Sequence, residues 1–305
     1  MSAALKNLGQ SLARIKPLSS PVATSRVALA YELHSLTPAD CKHLSANKHV
    51  PIIFLHGFLG SKRENRRISK LLARDLSRPV FAVDLRNHGE SGHHLKHDYM
   101  EMALDVASFM QSHGMERATL IGHSMGAKTA LTLALQLPEL VSDVVAIDNC
   151  PIHLPLVDDF PRYLEGMAKV GDAKVKTHHE AEKILREYED SLPIRIFLLS
   201  NFVKDSDSPY LKCRVPLDIL NTALTPLGDF PHKNEAVQFH NPTLFIRALR
   251  SHYIPETAIP RMSSFFPQSR IVNIDCGHWV VQERPEELRS GDLPIAYFSI
   301  LKYVC

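Results

Sequence analysis

The sequence predicts an α/β fold: a mostly parallel central sheet flanked by helices and interrupted by a largely helical insertion. Three observations carry that reading. Short, continuously apolar, β-rich runs alternate with helical stretches, the pattern of strands buried on both faces and joined by crossover helices. The alternation stops after residue 149 and resumes at residue 242. The 305 residues, 45% of them hydrophobic, are enough for one large domain carrying such an insertion.

The elements follow in order. VALAYEL (27–33) alternates like a strand. VPIIFLHG (50–57) and RPVFAVDLRNHG (78–89) are short apolar runs, each ending in a polar, glycine-bearing loop. Between them, NRRISKLLARDL places Ile68, Leu71, Leu72 and Leu76 at helical spacing. YMEMALDVASFMQSHG (99–114) is an amphipathic helix stopped by Gly114. ATLIG is a strand, AKTALTLALQLP a helix and DVVAID (143–148) a strand. Residues 150–241 hold helical segments such as EAEKILREYEDSL, many prolines and few convincing strands. PTLFIRAL (242–249) and SRIVNID (269–275) complete the sheet. The expected organisation is a core from 27–149 and 242–305. A helical lid, 150–241, is expected over the C-terminal ends of the strands, where open α/β sheets bind ligands.

Charge and cysteine content narrow the function. With 35 basic and 33 acidic residues the formal net charge is +2, too small to draw nucleic acid or strongly acidic partners. No apolar run approaches the roughly 18–20 residues needed to span a bilayer, so no stable membrane insertion is expected. The five cysteines (Cys41, Cys150, Cys213, Cys276, Cys305) are scattered and show no CxxC spacing, which argues against a disulfide framework or a structural zinc site. His93 and His97 are four residues apart, with His94 and Asp98 beside them, but nothing nearby completes a ligand set. Neither a metal nor a cofactor is expected.

The first stretch differs from the rest. Lys6, Arg14, Lys16 and Arg26 precede the first acid, Glu32, and Leu5, Leu8, Leu12 and Ile15 recur at helical spacing with serines following. This composition predicts a mitochondrial transit segment over 1–26 and a mitochondrial location.

LIGHSMGAKTA (120–130) is the most informative stretch. Gly122-His123-Ser124-Met125-Gly126 matches G-x-S-x-G between a predicted strand and a predicted helix, the setting a nucleophile elbow requires. Flanking glycines remove the Cβ atoms that would block so sharp a turn. The serine hydroxyl then stands at a helix N-terminus, where dipole and free N–H groups favour developing negative charge. The serine needs a base and the base an orienter, in the order Ser, acid, His. His278, in DCGHWVVQERP, follows the last predicted strand. The strand ending at Ala248 is followed by ALRSHYIPE, with no carboxylate before Glu256. Asp148, at the end of VVAID, is therefore the chosen acid, with Glu256 as fallback; Asp275 is too close in sequence to His278. Met125 and Phe58, or else Leu59, would supply oxyanion-hole N–H groups, and His56 would buttress the loop HGFLGS.

Together these segments resemble the α/β-hydrolase superfamily. PIIFLHGFLGS, VDLRNHGESGHH, GHSMGAKTA, LALQLPELV, AIDNCP, NPTLFIRALRSHYI and CGHWVVQERPEE, in that order over about 48–288, are similar to the mitochondrial abhydrolase-domain-11-type group. That group includes the yeast ethanol acetyltransferases and related bacterial esterases. The resemblance implies a Ser–Asp–His triad, here Ser124, Asp148 and His278. Ala127 and Ala248 stand where the group usually has glycine. After residue 288 the chain departs from the group, with Gly291 and Pro294 where a helix is usual.

The expected function is a serine esterase or thioesterase working through an acyl-enzyme on a small ester or acyl thioester. The alternative implied by the resemblance is an alcohol acetyltransferase making ethyl acetate from acetyl-CoA and ethanol with the same triad. A third reading is a catalytically idle hydrolase fold used as a binding module.

Overall fold

A computed structural model describes residues 26–35, 50–156, 159–233 and 236–289. The predicted transit segment lies outside the described residues, apart from Arg26, as does the departing C-terminus from residue 290 on. Seven strands form the main sheet: β1 (Tyr31–His34), β2 (Ile52–Leu55), β3 (Val80–Val83), β4 (Ala118–His123), β5 (Val141–Ile147), β8 (Thr243–Ala248) and β9 (Ser269–Ile274). Their order is β1-β3-β2-β4-β5-β8-β9. β1 runs antiparallel to β3, and the other pairings are parallel. The first strand begins at Tyr31, four residues later than the alternation in VALAYEL suggests.

Helices α1 (Arg66–Leu76), α2 (Tyr99–Ser112) and α3 (Met125–Gln136) link the early strands. Side-chain alternation splits the core across the sheet. Ile53, Leu55, Leu120, Val144 and Phe245 face α2 and α3, while Ile52, Phe54, Ile121, Val145 and Leu244 face α1 and the last turns of the chain. Burying each such side chain contributes about 1.5–3 kcal/mol. Helix α3 is buried from Met125 through Leu135, so even its polar residues must find partners inside. Lys128 does so by pointing Nζ at the carbonyls of Asp229 (3.1 Å) and Gly228 (3.4 Å) and over the Tyr99 ring. Burial pulls its amine down to about 8.

Between β5 and β8 lie α4 (Asp159–Asp172), α5 (His178–Leu185), α6 (Leu192–Leu199) and α7 (Leu217–Gly228). A two-stranded hairpin, β6 (Phe202–Lys204) with β7 (Leu211–Cys213), sits among them. The stretch read as one helix over 180–192 is broken. α5 ends at Leu185, and α6 restarts at Leu192 with Pro193 in its first turn, where the missing N–H costs nothing. The buried Arg195 guanidinium fastens the break by donating to Glu182 Oε1 and to the carbonyls of Glu189 and Asp190. Tyr99 Oη–H donates to Leu227 O (2.8 Å) and Asn201 Nδ2 to Leu59 O (2.9 Å), tying this region to the sheet side. The last turns are α8 (Ile259–Phe265), α9 (Val280–Glu283) and α10 (Pro285–Arg289).

A buried charge pair braces the loop after β3. Arg86, fully buried, donates to both oxygens of Asp105 on α2, Nε to Oδ2 at 2.6 Å and a terminal nitrogen to Oδ1 at 2.8 Å. Removing one partner of such a pair leaves a charge without compensation. Glu101 Oε2 also lies 3.3 Å from a terminal nitrogen of Arg86. Asp105→Ala is expected to lower unfolding stability by about 3–5 kcal/mol in urea titration, and a loss under about 1 kcal/mol would show that Glu101 alone satisfies Arg86.

Candidate active site

The site is built at the C-terminal ends of adjacent parallel strands. β4 and β5 run in register to His123 opposite Ile147, so the next residues, Ser124 and Asp148, leave the sheet side by side. Ser124 adopts φ 54° and ψ −114°, and Asp148 has φ 45°. Both are conformations that L-residues rarely hold, each costing on the order of 1–3 kcal/mol and kept only by surrounding structure. At Ser124 that structure is bare backbone. A Cβ on Gly122 would lie 2.2 Å from Gly126 O, and one on Gly126 would lie 2.4 Å from Leu55 O. Only glycine permits the strand, the turn and the neighbouring strand end to come this close.

His278 reaches the same place from the loop after β9. Its Nδ1–H donates to Asp148 Oδ2 at 2.7 Å, and its Nε2 accepts from Ser124 Oγ–H at 2.9 Å. Asp148 is fully buried, and its other oxygen, Oδ1, accepts from Ala248 N–H (3.2 Å) at the end of β8. Of the acids weighed from sequence, the structure brings Asp148 to His278. Glu256 instead pairs with Arg247 and Asp275 with Arg250, both acids largely exposed.

The loop after β2 closes the other side. His56 Nδ1–H donates to Gly57 O (2.8 Å), and Nε2 accepts from Leu85 N–H (2.9 Å), so the ring clamps two loops together. Leu59, at φ 61°, donates its N–H to His88 Nε2 (3.1 Å). Phe58 and Met125 are both buried, and among the described residues neither backbone N–H has a protein acceptor. Gly57 packs directly on the turn, its Cβ position 3.4 Å from Ser124 Cβ.

Other residues in the site were not read from sequence. Tyr253, on the loop after β8, stacks on the His278 ring, with centroids 4.1 Å apart and planes at 25°. His123 donates Nε2–H to the His278 carbonyl at 2.7 Å. Its position inside the motif was the available signal; Tyr253 had none, since its approach depends on how the 249–256 loop curls. A narrow cleft opens onto Ser124 and His278, walled by Phe58, Phe160, Phe197 and Trp279. His97, four residues after His93, turns inward and packs on His88. Cys276 is buried as small packing. No group of metal-ligating side chains is found among the described residues.

The family model for the alpha/beta hydrolase fold matches residues 50–285. The chain belongs to the α/β-hydrolase family. It is 40% identical over 262 residues to an abhydrolase domain-containing protein of Schizosaccharomyces pombe, covering 86% of this chain and 94% of that one. It is 30% identical over 298 residues to ethanol acetyltransferase 1 of Cyberlindnera fabianii, covering 90% of this chain and 89% of that one. Against a probable alcohol acetyltransferase of Saccharomyces cerevisiae the identity is 36% over 257 residues, with 78% and 74% covered. Among solved structures, a marine microorganism esterase superposes with a TM-score of 0.79 at 26% identity, covering 88% of this chain and 98% of that one.

Four histidines around the site are held neutral by burial. His56 and His88 are pushed down, and His97 and His123 fall to about 3. The unfolded chain protonates such residues near 6.5 while the folded chain does not, so their contribution to stability is lost as pH falls below 6.5 toward 3. Stability is therefore expected to fall between pH 7.5 and 5, and less steeply in His97→Asn. Urea midpoints at both pH values check this, and identical slopes in the two proteins would contradict it.

Proposed function

We propose that the protein is a serine hydrolase that cleaves small carboxylic esters or acyl thioesters through an acyl-enzyme, with Ser124 as nucleophile, His278 as base and Asp148 as orienter. The observation that carries this reading is the unbroken hydrogen-bond chain from Asp148 Oδ2 through His278 to Ser124 Oγ. Ser124 Oγ attacks the carbonyl carbon while His278 Nε2 takes its proton. The carbonyl oxygen becomes an oxyanion held by the N–H groups of Phe58 and Met125. On collapse, His278 returns the proton to the departing alcohol or thiol. Water, deprotonated by His278, then releases the acid and restores Ser124. Asp148 fixes the His278 tautomer and stabilises the imidazolium that forms twice per cycle.

An alcohol in place of water would make the product an ester. That second reading, an alcohol acetyltransferase acting on acetyl-CoA and ethanol, is supported by the names of the yeast relatives. Both reactions use the same residues. Their ratio depends on how far water is kept out, and residues 150–241 serve as the cover, through Phe160 and Phe197 at the cleft. A mitochondrial site of action, supported by the basic, acid-free run before Glu32, belongs to the same proposal.

Turnover of p-nitrophenyl acetate with and without ethanol tests both readings. Ser124→Ala is expected to lower kcat by about 10³–10⁶. Acetate alone supports the hydrolase, whereas ethyl acetate formed in proportion to ethanol supports the transferase. Activity surviving in Ser124→Ala would overturn the mechanism. Asp148→Asn, which keeps the shape but not the charge, is expected to lose about 10⁴ in kcat with the fold intact by circular dichroism; a loss under tenfold would remove Asp148 from its role.

A further inference from the structure

Two chambers meet at the His278 imidazole. The first is lined by Ser124 and by the loop after β2. The second is lined by Tyr163, Arg250 and Tyr253 and does not include Ser124, while Phe160, His278 and Trp279 border both. An acyl group bonded to Ser124 Oγ begins in the first chamber.

The first chamber is not uniformly apolar. Beside its aromatic wall it is lined by Glu64 and Asn65. Asn65 is 2% exposed, and among the described residues its Nδ2 has no hydrogen-bond partner. It occupies the N-cap position of α1, yet its side chain makes no capping bond. Glu64 Oε2 accepts from Ser61 N–H, but among the described residues Oε1 has only Ser200 Oγ, at 3.5 Å, and that hydroxyl already donates to Phe197 O at 2.7 Å. A buried donor without a partner is costly, and a guest in the chamber that accepts from it would offset that cost. An amide donor beside a carboxylate acceptor complements a hydroxyl, which accepts from one and donates to the other. An anionic acyl end would be repelled by Glu64, and a plain methyl end would leave both groups unmet.

We infer that Glu64 and Asn65 form a polar subsite selecting acyl groups that carry a neutral hydroxyl near the scissile carbonyl. This rests on the reading of Ser124 as nucleophile. A competing use of the Asn65 amide is a hydration site shared with Ser69, whose Oγ is also buried and unpaired one turn along α1 and which does not line the chamber.

The test is the ratio of kcat/KM for p-nitrophenyl 3-hydroxybutyrate to that for p-nitrophenyl butyrate. The wild-type ratio is expected to exceed 1. Asn65→Leu and Glu64→Gln are each expected to lower it by about tenfold, a change in selectivity that general loss of structure would not produce. Ser69→Ala is expected to keep the wild-type ratio. A wild-type ratio at or below 1, or a ratio unmoved in both subsite variants, would overturn the inference while leaving the nucleophile reading intact. Turnover of both esters by Ser124→Ala, or of neither by the wild type, would overturn both.

Discussion

The contact between bare backbones at Gly122 and Gly126 is the constraint on which the site depends. Strand β4 must turn into α3 within one residue, and it does so against the end of β2, where Leu55 O would lie 2.4 Å from any Cβ on Gly126. That contact forces Ser124 into its unusual backbone conformation and puts its hydroxyl at the helix N-terminus. Its position then sets the rest. The adjacent strand end supplies Asp148, the third supplies Ala248 N–H to hold that carboxylate, and the loop after the fourth carries His278 across to both. A polar chain of this kind keeps its geometry only if each lone pair and proton has a partner, and here the scaffold strands themselves provide several of them.

The loop facing the serine is held by a different device. His56 and His88 each join the loop after β2 to the loop after β3 through a ring nitrogen. Asp84 adds to this by accepting from the N–H groups of Lys62 (2.6 Å) and Glu90 (2.9 Å), while a Cβ on Gly89 would strike its carboxyl at 2.2 Å. Burial keeps these imidazoles neutral, so their clamping hydrogen bonds persist at neutral pH without a charge near the candidate oxyanion position. Rigid backbone donors that need no rearrangement as negative charge develops are the arrangement that lowers an acyl-transfer barrier most.

Much of this was legible in the sequence because it is local. The continuously apolar strands, the helix between Arg66 and Leu76 and the glycines around Ser124 reflect constraints within a few residues of one another. Asp148 was legible for a second reason, the absence of a carboxylate directly after Ala248. What escaped depends on distant parts of the chain. The break between α5 and α6 is fixed by Arg195, whose partners lie on both sides of it. Hairpin β6–β7 is three residues a side, too short for a periodic signal. Tyr253 and Asn65 are ordinary residues in sequence and become informative only through what they face: an imidazole in one case and, among the described residues, no partner for the amide nitrogen in the other.

The most direct test of the account is covalent. Intact, folded protein treated with a fluorophosphonate ester should gain one adduct, located on Ser124 by peptide mass analysis, with labelling slowed at least a hundredfold in His278→Ala because the hydroxyl has lost its base. An adduct on another residue, or no adduct on well-folded protein, would contradict it: the hydrogen-bond chain would then be a feature of the fold, and the protein a binding module rather than an acyl-transfer enzyme.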